Sequence, residues 1–212
     1  MNLSGRTRLH PGAVNDRMKN TSASDAGNVS LDDELSVHRL GFGAMRLTGV
    51  VYYLHIPDPI VSFDVSLDTL AQLRGEGKIR LVGLSNVTQE HIKRARKIVP
   101  IVSVQNRYSF ADREWDYVVD YCARNEIAFV PWFPLGAGKL AAEVLNRVAN
   151  EQHKKPMQVA LAWLLQRSPI MLPIPGTSSI EHLEENIAAS SLRLTAEQYQ
   201  ELARVPELVA SR

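Results

Sequence analysis

Five short apolar runs, each parted from the next by a helix-length amphipathic stretch, constrain this chain more than any other feature. They are VVYYLH at 50–55, IRLVGL at 79–84, IVSVQ at 101–105, IAFVPW at 127–132 and IMLPI at 170–174. Runs this short and continuous suit strands buried on both faces, and a helix between two such strands returns the chain to a parallel neighbour. The intervening stripes are Leu67, Leu70 and Leu73; Ile92, Ala95 and Val99 after Thr88; and Trp115, Val118, Val119 and Cys122. Leu140, Val144, Leu145 and Val148 follow, then Val159, Ala160, Trp163 and Leu164 behind Pro156. Gly75 and Gly77 close the first helix and Pro100 the second. Ser178-x-x-Glu181 and Thr195-x-x-Gln198 have capping-box spacing and open two more. The alternation predicts a mainly parallel sheet clothed in helices.

In such a sheet the carboxyl ends of the strands share one rim, where α/β folds build their sites. The sequence places His55, Ser85, Asn86, Gln105, Trp132 and Gly176-Thr177-Ser178 there. An imidazole at a strand's end can hydrogen-bond a carbonyl substrate, and a core histidine satisfied by backbone is the other reading of His55. Ser85, Asn86 and Gln105 offer hydroxyl and amide groups able to pair with a carboxamide, although such residues also serve as caps and turns. Trp132 is either a flat face for a planar ring or a core aromatic. The small residues of Leu135-Gly136-Ala137-Gly138-Lys139 admit a phosphate close to backbone, without the spacing of a P-loop. Gly176-Thr177-Ser178 leads into a helix start, which favours anions. No Gly-x-Gly-x-x-Gly unit follows a strand, which argues against a Rossmann fold, and the histidines lack metal-ligand spacing.

At 212 residues with 45% hydrophobic content, one domain is the default. A formal charge of +1 gives no electrostatic case for nucleic acid or an anionic membrane. Lys93, Arg94, Arg96 and Lys97 share one helix and read as a solvated face. Cys122 is the sole cysteine, which rules out an intrachain disulfide and a cysteine-based metal cluster; its place on an apolar stripe marks a buried thiol. No run has the length of a membrane span, and residues 1–30 lack the apolar core of a secretory signal, so the cytoplasm is the expected location. Residues 1–35 are polar and read as a mobile tail, leaving 36–212 as a single domain. Residues 37–48 are strand-like, and their Gly41 and Gly43 suit a tight bend or close approach to a ligand. Only Thr48-Gly49 joins them to the first apolar run, too short for a parallel crossover.

Taken together, GFGAMRLTG at 41–49, YYLHIPDP at 52–59, GKIRLVGLSNVTQEHIKRA at 77–95 and VSVQNRYSF at 102–110 resemble the aldo/keto reductase family of NADP-dependent (β/α)8 barrels. The likeness continues in family order through FVPWFPLGAGKLA at 129–141, QVALAWLLQRSP at 158–169 and LPIPGTSSIEHLEENIAA at 172–189. It implies an incomplete TIM-type (β/α)8 barrel of about five or six parallel strands with outer helices, lacking about two βα units. It also implies hydride transfer between NADPH and an aldehyde or ketone. By the same resemblance, Ser85, Asn86 and Gln105 hold the nicotinamide carboxamide and Trp132 stacks on its ring. Leu135, Gly136 and Lys139 line the pyrophosphate channel. Gly176, Thr177 and Ser178 approach the phosphate on the adenosine ribose, His182 lies beside it, and Glu185 and Asn186 reach the adenine. His55 matches the histidine that orients the substrate.

The chain departs from the family pattern in two ways. Gly176 stands where many members have Lys, and His182 where many have Arg, which softens the preference for NADP. The proton-donating Tyr of the family, and the Lys and Asp that tune it, come from between the first and fourth barrel strands. Here GFGAMRLTG runs directly into VVYYLHIPDP, and Tyr52 and Tyr53 belong to the strand leading to His55. The resemblance therefore implies a kept cofactor surface with weak or absent turnover of a small-molecule carbonyl. The alternative is a non-catalytic nucleotide-binding or subunit-interaction protein, with an open barrel edge available for self-association.

Overall fold

The computed structural model describes residues 22–41, 51–136 and 143–204. The first of these segments departs most from the sequence reading. A 3₁₀ turn, Ala23–Ala26, leads into an antiparallel hairpin of strands β1 (Asn28–Ser30) and β2 (Ser36–His38). Residues 22–35 are thus no tail, while 1–21 lie outside the described residues. Composition concealed this because the hairpin is held from far away. The Arg39 guanidinium donates to the carbonyls of Ala26 (3.2 Å), Leu165, Ser168 (2.6 Å) and Met171 (3.3 Å). Arg80 pairs with Asp32 (3.2 Å) and Glu34 (3.0 Å), and Val29 is buried in the main core.

The four-stranded sheet is parallel throughout, in the order β3 (Val51–Leu54), β4 (Leu81–Ser85), β5 (Ile101–Gln105) and β6 (Ala128–Phe129). The fifth apolar run extends this wall only briefly. Phe129 N–H donates to Ile170 C=O (2.9 Å), Leu172 N–H returns to Phe129 C=O (2.8 Å), and Phe129 and Met171 form an isolated parallel bridge. Pro173 and Pro175 have no N–H to continue a ladder, which limits the run to a bridge. Gly41 N–H then donates to Pro173 C=O (3.1 Å), carrying the wall one segment further. At the opposite end β3 has no strand partner among the described residues beyond β4, so the barrel is incomplete. The 48–50 junction lies outside the described residues.

The helices follow the predicted stripes: α1 (Phe63–Gly75), α2 (Gln89–Ala95), α3 (Asp116–Arg124), α4 (Glu143–Glu151), α5 (Pro156–Arg167), α6 (Ile180–Ala188) and α7 (Ala196–Ala203). Leu67 and Leu70, Ile92 and Ala95, and Val118 and Val119 are buried beneath them together with Val82, Leu84 and Val104 of the sheet. Cys122 is fully buried, and burial pushes its thiol up to about 12, so it is an inert core group. Thr195 closes its capping box with Gln198 as predicted. The cap of α6 is Ser179 rather than Ser178: the Ser179 hydroxyl accepts from His182 N–H (3.3 Å), because Thr177 turns the chain first by accepting from Ser179 N–H (3.1 Å). Among the described residues no helix is long and apolar enough to cross a membrane.

One lateral row of the sheet depends on a glycine. Tyr53, Gly83 and Ser103 are in register on adjacent strands, and the Tyr53 hydroxyl reaches over Gly83 to Ser103 Oγ at 2.7 Å. A Cβ at position 83 would lie 2.4 Å from Tyr53 Cε1 and 2.9 Å from Ser103 Oγ. Gly83→Ala is expected to cost about 1–3 kcal/mol by overpacking. In a Gly83→Ala/Tyr53→Ala cycle followed by urea unfolding, most of that cost should vanish once the ring is gone. A coupling below about 0.5 kcal/mol would show that the ring does not dictate the glycine.

Candidate active site

The rim residues meet through Asn86. This residue follows β4 with φ +57°, a left-handed conformation that asparagine tolerates better than most side chains. Its backbone N–H donates to Gln105 C=O (3.0 Å), tying the turn to β5. Its amide Nδ2 donates to His55 C=O (3.1 Å) and Ser85 Oγ (3.1 Å), while Oδ1 accepts from the indole Nε1–H of Trp132 (3.1 Å). The buried Ser85 hydroxyl donates in turn to Gln105 C=O (2.8 Å). The ends of β3, β4 and β5 and the residue three beyond β6 are thereby joined in one hydrogen-bonded set.

These bonds leave particular groups available. The Gln105 side chain is half-buried and its carboxamide makes no hydrogen bond to another described residue. Trp132 is also half-buried, and its indole bond to Asn86 orients the ring. A half-buried carboxamide at one strand end and an oriented aromatic face beyond another are the kinds of group that hold a nicotinamide amide and its ring. Phe133, the next residue, adopts φ +61° and carries the Arg107 guanidinium over its ring at 5.7 Å. Gly136 N–H donates to Phe133 C=O (3.0 Å) at φ +57°, forming the turn in which Leu135 is half-buried. Lys139 lies outside the described residues.

The remaining candidates stand on and before α6. Gly176 and Ser178 are exposed, Thr177 supports the Ser179 cap, and His182 is exposed in the first turn. Glu185 is engaged by Lys155, and its backbone carbonyl accepts from Gln158 Nε2 (2.9 Å). Asn186 is buried in the described structure. His55 has an exposed side chain and lines an open groove of about 600 Å³ shared with Tyr52, Val61, Val65 and Thr69. That groove runs along β3 on the side where no described strand pairs with it, and Trp132 is not among its lining residues.

A model of the aldo/keto reductase family matches residues 48–207. The chain belongs to this family. Among curated relatives, an uncharacterized oxidoreductase of Schizosaccharomyces pombe is 42% identical over 170 residues, covering 79% of this chain and 54% of that protein. Pyridoxine 4-dehydrogenase of Escherichia coli is 50% identical over 137 residues, covering 64% and 48%. The crystal structure of the thermostable aldo-keto reductase Tm1743 with the inhibitor epalrestat superposes with a TM-score of 0.69 at 28% identity, covering 73% of this chain and 59% of that one. The chain thus spans about half the length of the curated relatives it matches.

Sequence reasoning passed over one residue of this aldo/keto reductase rim. Asn106 is fully buried, its side chain bonds both backbone groups of Val87, and its own C=O accepts from Trp132 N–H (3.1 Å). The available signal was an amide immediately past the polar end of a strand, in the tetrad Gln105-Asn106-Arg107-Tyr108. A buried position for it could not be read from a segment that is otherwise polar.

Proposed function

We propose that this chain binds NADP(H) through the cofactor half of an aldo/keto reductase site and turns over carbonyl compounds weakly or not at all. The observation that carries this reading is the hydrogen-bonded set of Ser85, Asn86, Gln105 and Trp132 at adjoining strand ends. Ser85, Asn86 and Gln105 would hold the carboxamide, with Trp132 against the ring. When bound, the nicotinamide supplies or accepts the hydride exchanged with a carbonyl carbon. His55 would orient the carbonyl oxygen from the end of β3. Leu135, Gly136 and Lys139 would follow the pyrophosphate. Gly176, Thr177, Ser178 and His182 would approach the ribose phosphate, and Glu185 and Asn186 the adenine, so NADP is favoured over NAD by hydroxyls and a histidine alone. The E. coli relative's name makes pyridoxine and its aldehyde the first substrate pair to assay.

Titration with NADPH is expected to quench tryptophan emission with a smaller response to NADH. Trp132→Ala should abolish most of the quench: Trp163 is wholly buried in the core, and Trp115, half-buried beside Tyr117 at the start of α3, is the internal control, whose own Trp115→Phe variant should keep it. An unchanged quench in that variant would remove Trp132 from the ring's neighbourhood.

The edge of β3, which pairs with no described strand, favours a second reading, pairing between copies of this chain. Tyr52, Ile56, Val61 and Val65 are each about half exposed along that edge and the segment after it, an unusual density of apolar surface beside backbone that no described strand pairs. Light scattering on the purified chain separates the two: a monomer at all concentrations rules out the edge contact and leaves the cofactor reading untouched.

A further inference from the structure

We propose that Asn106 is the positioning residue of this rim, the group that holds Asn86 and Trp132 in the geometry a nicotinamide needs. The inference rests on the cofactor reading above and adds a residue to it. Asn106 follows β5 directly and is fully buried. Its Oδ1 accepts from Val87 N–H at 3.0 Å and its Nδ2 donates to Val87 C=O at 2.8 Å. The amide's orientation is set by chemistry, since one Val87 group can only donate and the other only accept. A side chain here does what a neighbouring strand would do for the backbone.

The placement of this clamp is specific. Val87 is the residue after Asn86, whose left-handed backbone must be maintained against more ordinary conformations. With Val87 pinned on both sides and Asn86 N–H bonded to Gln105 C=O, the turn has no freedom to relax. The backbone of Asn106 completes the link: its C=O accepts Trp132 N–H at 3.1 Å, while Trp132 C=O accepts from Tyr108 N–H at 3.3 Å. Asn106 therefore bonds the loop after β4 through its side chain and the loop after β6 through its backbone. The indole–Asn86 bond closes the circuit between those two loops. Asn106 itself, enclosed by protein, touches no ligand.

The assignment separates Asn106 from a residue that merely stabilises the fold, because its effect must fall on one half of the dinucleotide. In the full chain, Asn106→Ala is expected to weaken NADPH binding by about tenfold or more, read by quenching of tryptophan emission. Binding of 2′,5′-ADP, which carries the adenosine phosphates without the nicotinamide, should stay within about twofold of wild type by calorimetry. Asn106→Asp supplies an independent readout. Its ionised carboxylate can accept from Val87 N–H but opposes Val87 C=O, whereas the protonated acid can donate to it. The ratio of variant to wild-type affinity for NADP⁺ should therefore climb toward one as pH falls from about 8 to about 5. Equal weakening of NADPH and 2′,5′-ADP, no weakening of either, or a flat pH ratio would overturn the proposal. If Asn106→Ala does not fold, the pH series decides alone. A folded wild-type chain that ignores NADPH refutes the cofactor reading instead, which keeps the two failures apart.

Discussion

Oxidation of NADPH driven by an aldehyde is expected to run about 10²–10⁴-fold more slowly with this chain than with a complete aldo/keto reductase. On the weak-turnover reading proposed above, that is the penalty for lacking one general acid, before any loss of the groups that tune it. The expectation follows from the resemblance, in which no tyrosine of this sequence stands in the place of the family's donor. Tyr53, on the strand that leads to His55, is a poor substitute: its hydroxyl is bonded to Ser103 at 2.7 Å and burial pushes its ionisation upward. On the same reading His55 would orient a carbonyl oxygen with no matched proton source behind it. The assay is a stopped-time measurement with pyridoxal and a simple aliphatic aldehyde, run beside a full-length relative at equal NADPH saturation. Parity between the two proteins would show that some group in the chain delivers the proton, and the weak-turnover reading would fall.

Asp116→Ala is expected to cost about 3 kcal/mol of stability, the largest effect foreseen for a residue outside the rim. Asp116 opens α3 and gathers three donors from separate parts of the chain. Its Oδ1 accepts from the Tyr108 hydroxyl and from Arg167 Nε (3.3 Å) and Nη2 (3.2 Å), and its Oδ2 from Arg113 Nε (3.0 Å). Removing the carboxylate leaves the fully buried Tyr108 hydroxyl without that acceptor, and the Arg113 and Arg167 guanidinium groups, 18% and 17% exposed, without that counter-charge. Arg167 keeps Asp120 at 2.8 Å, and Asp116 is itself 35% exposed, which holds the cost to the lower part of the range for breaking buried pairs. Asp116→Asn should cost less, because the amide oxygen still accepts from Tyr108. A urea midpoint shift worth under about 1 kcal/mol at unchanged slope would show the network to be dispensable.

Both expectations rest on features with different legibility. The β–α alternation was readable because a buried parallel strand must be a continuous apolar run and its covering helix an amphipathic one. The Thr195 cap was readable because its partner is three residues away. The α6 cap was misread by one residue, since Thr177 and Ser178 offer equally good hydroxyls and only the turn at Thr177 selects Ser179. The hairpin was missed because strands of three residues leave no pattern, and its stability is supplied by Arg39 reaching carbonyls more than 120 residues away. Of the rim, the polar residues at strand ends were visible, but the bonds among them were not.

The sequence by itself determined the strand and helix periods, the polar residues at the strand ends and, through ordered motifs, membership of the aldo/keto reductase family. These are properties of neighbours along the chain, where spacing and side-chain type carry the information. The tertiary structure alone decided that Asn86 turns left-handed, that a buried Asn106 bonds both backbone groups of Val87 beside it, that Gly83 yields space to Tyr53, and that residues 22–41 join the body of the protein. Each of those outcomes is a contact between residues far apart in sequence. Its energy depends on burial and distance, which no local pattern encodes.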